Sequence, residues 1–193
     1  MLKELFTGKL VRLAAIVSEE FGKDYANWGR DSEFRRLLDS DPPHIWSAKS
    51  QKEWIEKQVK NEDNDTFWFA IRSQEDDRLL GAVDLGLTSW GSRDAFVGIS
   101  IGDRDFWGKG YGTEAMQLLL CYAFTELNLN RVTLNVFEYN QRAVRSYEKA
   151  GFQLEGRQRQ AMIREGRRWD VLYMGILREE WMETNGYNFY DGQ

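Results

Sequence analysis

The sequence predicts an α/β domain in which a mixed, mostly antiparallel central sheet carries helices on both faces, three layers in all. Three strand-like segments between Thr66 and Ile101 are joined by connections too short for a crossover, which makes them an antiparallel meander. After Ile101 the pattern changes to helix, strand, helix and strands, with a 3.6-residue period in the helical parts. No repeat, low-complexity run or linker divides the 193 residues. Residues 1–183 are therefore expected to form one domain, with 184–193 as a tail.

The elements follow in order. Lys9 to Ile16 carries Leu10, Val11 and Leu13 and reads as a first strand. Ser18 offers a cap to a helix over Glu19 to Arg30, with Glu19 and Glu20 in its first turn. A second helix fits Ser32 to Leu38 and stops before Asp41-Pro42-Pro43. Ser50 offers the cap of a third, whose Trp54, Ile55 and Val59 follow a helical spacing. Thr66 to Arg72, Leu79 to Leu87 and Ala95 to Ile101 are the meander strands, with turns at Gln74 to Arg78 and Trp90-Gly91-Ser92. Thr113 to Leu127 is a helix of about four turns. Arg131 to Phe137 is a Val/Thr/Leu strand. Asn140 caps a helix that Gly151 closes. Strands run from Phe152 and over Trp169 to Leu177, across a Glu165-Gly166 turn, and nothing after Glu183 shows a pattern.

Composition excludes several function classes. Apolar residues make 42% and charged residues 30% of the chain, and no apolar run approaches the roughly 18 residues of a membrane span. Met1 to Leu10 lacks a signal-peptide core, so the expected location is the cytoplasm and no membrane partner is expected. One cysteine, Cys121, rules out a disulfide framework within the chain, and with one histidine, His44, no metal site is expected. Cys121 lies among Leu118, Leu119, Leu120 and Tyr122 and reads as core; His44 follows Pro42-Pro43 and reads as an exposed or capping loop residue. The net charge of −5 counts against non-specific nucleic-acid binding. Acidic runs at Asn61 to Asp65 and Glu75 to Asp77, and a basic stretch from Arg142 to Arg168, read as solvated faces, compatible with a cationic amine on one side and phosphates on the other.

The informative segment is Asp105 to Ala115, where Gly108, Gly110 and Gly112 alternate just before a helix. Each glycine lets backbone N–H groups turn toward an anion, and the helix start adds free N–H groups and partial positive charge. Such a turn is a pyrophosphate site, with Lys109 as an added cation and Thr113 as a cap or a phosphate donor. The plain alternative is a tight turn with no ligand. Gly110-x-Gly112-x-x-Ala115 also fits a dinucleotide fingerprint, but five residues, Asp103 to Trp107, separate it from its strand. Only 81 residues follow Gly112, too few for a full doubly wound sheet. A Walker loop is excluded because no Gly-Lys-Ser/Thr occurs.

With these residues in view, the chain resembles the GNAT superfamily of N-acetyltransferases, most closely the branch of ribosomal-protein N-terminal and spermidine acetyltransferases. The family loop, Gln/Arg-x-x-Gly-x-Gly/Ala, matches Trp107-Gly108-Lys109-Gly110-Tyr111-Gly112, and Thr113-Glu114-Ala115 continues the match. A second block matches through Asn140-Gln141-Arg142-Ala143, Tyr147 to Phe152, and Glu155-Gly156. Two departures stand out: Trp107 occupies the Gln/Arg position, and Phe96 stands where the related branch often has an acid.

The resemblance implies an acyl-CoA N-acyltransferase fold and acetyl-CoA as cosubstrate, its diphosphate on the amides of Trp107 to Thr113. It implies a pantetheine arm beside Ile99 to Ile101, as an added strand would lie, in a cleft between that strand and Arg131 to Phe137. Amine attack on the thioester needs a neutral amine, an oxyanion donor and a proton for the departing thiolate. The family supplies that proton from the tyrosine matching Tyr147, and Asn140 joins the cofactor contacts; packed core tyrosine and plain helix cap are the alternatives. Backbone N–H groups near Ile99 to Ile101 are the oxyanion candidates. For the base, the candidates are Asp84, at a strand position able to face the cleft, Glu138 after the next strand, or a water chain. The acceptor is left open among a protein N-terminus, a polyamine and other small amines, and a homodimer is left open too. Trp28, Trp46 and Trp54 are candidates to line the acceptor site, core packing being the commoner fate. The competing readings are a non-catalytic acyl-CoA sensor and a dinucleotide-dependent oxidoreductase.

Overall fold

The computed structural model describes residues 4–60 and 65–186. Seven strands form one sheet: β1 Val11–Ala14, β2 Thr66–Ser73, β3 Leu79–Ser89, β4 Asp94–Ile101, β5 Arg131–Phe137, β6 Gln153–Arg164 and β7 Arg167–Leu177. The helices are α1 Ser18–Trp28, α2 Ser32–Leu38, α3 Ala48–Val59, α4 Tyr111–Thr125, α5 Gln141–Ala150 and α6 Arg178–Asn185. The spatial order is β1-β2-β3-β4-β5-β7-β6, and every neighbouring pair is antiparallel except β4 with β5. This is the mixed, mostly antiparallel sheet that the short connections predict.

Helices cover both faces, and the two cores differ. On one face α4 buries Ala115, Met116, Leu119, Leu120, Ala123 and Phe124 against Val83, Leu85, Val97 and Leu134. A helix apolar on nearly all sides belongs in such a position, between the sheet and other elements. Cys121 sits half-buried at the edge of this core, as its neighbours suggest. On the other face α1, α2 and α3 close over Phe21, Tyr25, Phe34, Ile55 and Ala82. His44 lies in the exposed loop between α2 and α3, edge-on to Trp46 with ring centroids 4.7 Å apart.

Several element boundaries differ from the sequence pattern. Ser18 is the first residue of α1, and Val17 precedes it without a side-chain cap. Ser47, not Ser50, caps α3: its hydroxyl accepts from the Ser50 backbone N–H at 3.1 Å. The helix α4 begins two residues before Thr113, because Gly110 takes the cap position. The helix α6 crosses the expected boundary at Glu183 and buries Trp181 against Phe124, with ring centroids 5.4 Å apart. Its long-range aromatic anchor has no local periodic signal. The rest of the expected tail, residues 187–193, and the acidic run 61–64 lie outside the described residues. Among the described residues no helix is long and apolar enough to cross a membrane, and no cluster of three His, Cys, Asp or Glu forms a metal site.

The functional feature is a parting of the sheet. β4 and β5 pair only through Asp94–Phe96 and Arg131–Thr133. Beyond those residues each strand stays with its outer neighbour: β4 follows β3 as far as Ile101, and β5 follows β7 as far as Phe137. The sheet therefore opens into a wedge whose β4 side presents unpaired backbone groups.

Candidate active site

A cleft of about 1240 Å³ runs through this wedge. Strand alternation distributes the residues of β4 between its two sides. Val97, Ile99 and Ile101 pack with the α4 core, and Ile99 and Ile101 border the cleft. Phe96, Gly98 and Ser100 point to the α1–α3 face, where Ser100 hydrogen-bonds the Tyr25 hydroxyl.

The glycine-rich segment forms the mouth. A 3₁₀ turn, Arg104–Phe106, fills the gap between strand and loop. Gly108 and Gly110 have φ of +72° and +97°, which side-chain-bearing residues rarely adopt. Gly110 caps α4 without a side chain, so the first N–H groups of the helix remain available at the mouth. Gly108, Gly110, Gly112 and Thr113 border the cleft. A β-carbon on Gly108 would meet nothing within 4 Å, so space for an anion exists there. The backbone fits a diphosphate.

The side chains of this loop behave differently from expectation. Lys109 is exposed and does not border the cleft. Tyr111 packs edge-on against Phe106, centroids 4.8 Å apart, and faces the core. Thr113 neither caps α4 nor points free: its hydroxyl pairs with that of Ser146 at 2.7 Å and ties α4 to α5. Trp107 donates its indole N–H to the carbonyl of Ile101 at 2.7 Å, which pins the loop to the end of β4. Over the same ring lies the Arg142 guanidinium, 3.7 Å from the centroid. Burial lowers the Arg142 pKa, and the group has no ion-pair partner among the described residues. Trp107 thus places a cation at the mouth, although it is itself uncharged.

Sequence reasoning missed Arg142 and Glu114. Arg142 lies in the first turn of α5, two residues past the cap Asn140, and borders the cleft. Asn140 accepts from the Ala143 N–H at 3.2 Å, which confirms its cap role, and it too borders the cleft. Glu114 accepts from three backbone N–H groups, those of Lys9, Leu10 and Val11, at 2.9, 2.6 and 2.8 Å. It holds the entry to β1 against the start of α4. An acid in the first turn of a helix signals macrodipole compensation, and that local reading hides a contact 105 residues away.

Tyr147 and Asp84 approach the wedge from opposite faces. Tyr147 packs on the α4 side, near Phe152, and borders the cleft. Burial pushes its pKa up to about 12, and its hydroxyl has no hydrogen-bond partner among the described residues. Asp84 sits on β3, opposite Gly98, on the Tyr25 side. Desolvation raises its carboxyl from 3.8 to about 7, and no partner offsets that among the described residues. Glu138 is a different case. It pairs with Arg157 at 2.9 Å, accepts from the Asp170 N–H at 2.8 Å and does not border the cleft, so it is set aside as a base.

Fold and cleft together define a protein of the acyl-CoA N-acyltransferase class. A family profile described as Acetyltransferase (GNAT) domain matches residues 11–153, and the chain belongs to that family. The N-acetyltransferase p20 of Bacillus licheniformis, described as uncharacterized, is 34% identical over 113 residues, 58% of this chain and 63% of that protein. The chain thus spans less than two thirds of that relative's length. The SPbeta prophage-derived uncharacterized N-acetyltransferase YokL of Bacillus subtilis is 28% identical over 158 residues, covering 81% and 85%. Spermidine N-acetyltransferase from Vibrio cholerae, solved in complex with CoA and spermine, superposes with a TM-score of 0.78 at 26% identity, covering 91% of this chain and 99% of that one.

Proposed function

We propose that this protein is an N-acetyltransferase that moves an acetyl group from acetyl-CoA to a primary amine by direct attack in a ternary complex. One observation carries the reading: Tyr147 and Asp84 flank the parting of β4 and β5 from opposite faces, with the glycine cradle at its mouth.

Each residue then has a chemical task. The amides of Trp107 to Thr113 hold the diphosphate, Arg142 adds charge, and Asn140 borders the arm that follows. The unpaired edge of β4, near Ile99 to Ile101, takes pantetheine as a strand takes a neighbour and offers N–H groups to the oxyanion. Asp84 accepts the proton of the ammonium, directly or through water. The nitrogen attacks the thioester carbonyl, the C–N bond forms and the C–S bond breaks. Tyr147 donates its proton to the departing sulfur, and the second proton that the nitrogen sheds as the amide forms returns to the phenolate, directly or through water. Its raised pKa keeps that proton in place at neutral pH, and a carboxyl near 7 is suited to a general base. The spermine complex of the Vibrio cholerae neighbour supports an amine as acceptor. A sensor has no need of an unpartnered acid and phenol facing one cleft.

The test is thiol release from acetyl-CoA across a panel of amines, repeated with Tyr147→Phe. Amine-dependent release that falls in the variant supports the reading. No release with any amine, in protein shown to bind acetyl-CoA, points to the sensor instead.

A further inference from the structure

We infer that the acceptor is an amine with an aromatic or bulky apolar body. The inference rests on the proposed transferase reading for the place of the amine, but its binding test does not need turnover.

The acceptor half of the cleft is walled by rings. Trp46, Trp54, Trp68 and Phe34 border it. Trp54 is 42% exposed and Trp46 45% exposed, although each is bulky enough to be buried profitably. Trp54 stands on α3 and Trp68 on β2, edge to face at 5.4 Å, so both are held by regular elements before a ligand arrives. Open indole faces in a cleft leave apolar area uncovered that a ring or hydrocarbon body would cover.

Charge places the ammonium. The acids bordering the cleft are Asp39, Asp41, Asp84 and Glu114. Glu114 is occupied by its three backbone N–H groups. Asp39 accepts from the Asp41 N–H at 3.1 Å within its own turn. Beside these two, Arg164 donates to the carbonyl oxygens of Asp39 and Asp41 at 2.6 and 2.9 Å, and Arg35 borders the same rim. Those bonds reach backbone oxygens, and both carboxylates stay exposed at the rim, whereas Asp84 is the half-buried acid inside the cleft. An acid inside the cleft, among rings, draws an ammonium, which aromatic faces also attract, on an apolar body.

Calorimetric titration of CoA-saturated protein with phenethylamine, n-butylamine and spermidine, at one pH and ionic strength, tests this. Phenethylamine is expected to bind on the order of tenfold more tightly than either of the others. Trp54→Ala and Trp46→Ala, both at exposed positions, are each expected to shrink that ratio to roughly threefold or less. Spermidine binding as tightly as phenethylamine, no binding by any amine, or an unchanged ratio in both variants overturns the inference. Selective binding of phenethylamine without acetyl transfer would sink the transferase reading and leave this one standing. Transfer to spermidine in preference to phenethylamine would do the reverse.

Discussion

The carboxylate of Asp84 lies against Gly98, its register partner on the next strand. A β-carbon placed at Gly98 would stand 2.6 Å from Asp84 Oδ1. The missing side chain is what lets an acid rest over the open part of β4. Gly98→Ala is therefore expected to push the carboxylate aside and lower kcat by about tenfold or more, given how steeply rate depends on placement. Circular dichroism would check that the fold is kept.

Asp84 also sets a pH dependence. Only the carboxylate can take a proton, so kcat/KM should rise with pH through about 7. In Asp84→Asn that limb should vanish, and kcat should fall about a hundredfold or more. Stability moves the other way. The folded-state pKa is raised, so between 3.8 and about 7 the native state holds a proton that the unfolded chain has lost. Stability from this group declines as pH climbs through that window. The melting temperature of Asp84→Asn, relative to the parent, should increase from about pH 5 to about pH 8.

Tyr147→Phe removes a hydroxyl that no protein group engages among the described residues. The expected outcome is a fall in kcat of about a hundredfold, with acetyl-CoA affinity changed little. Stopped-flow binding and steady-state thiol release separate the two quantities. Parental turnover in the variant would remove Tyr147 from the mechanism.

Gly110→Ala tests the cradle. At φ +97° a β-carbon is strained by on the order of 1–3 kcal/mol. Relaxation of the loop should re-aim the α4 amides, so CoA affinity is expected to weaken by about tenfold or more. Isothermal titration measures it directly.

Glu114→Gln keeps the shape of the side chain but removes the charge behind three hydrogen bonds. Charge-assisted bonds of this kind stabilise by about 1.5–3 kcal/mol. A lower melting temperature is expected, together with weaker CoA binding, because Leu10 would no longer be held where it borders the cleft beside Gly110. Unchanged thermal denaturation would show that the three bonds are replaced by water without loss.

Much of this molecule is local in origin. Short connections between β-patterned segments make β2, β3 and β4 a meander whatever surrounds them. Asn140 and Gly151 bracket α5 through their own chemistry, a side-chain oxygen and a positive φ. The alternating glycines set the turn that leaves the first N–H groups of α4 free, and the lack of a second histidine or cysteine removes whole classes of chemistry. Trp46 and Trp54 do face the cleft, while Trp28 packs between Tyr25 and Phe34.

Other features depend on residues far apart in the chain. That Glu114 reaches Lys9, that Thr113 meets Ser146, and that Arg142 covers Trp107 are contacts between elements, and no local period encodes them. The same holds for choosing Asp84 over Glu138: both are acids near a strand end or centre, and only packing buries one unpaired while an arginine neutralises the other. Local sequence determines which backbone groups are free and where chains must turn, because dihedral preference and hydrogen bonding act over a few residues. Desolvation and charge pairing act through space, so which acid stays unpaired and which cation reaches the cleft was decided by the assembled fold.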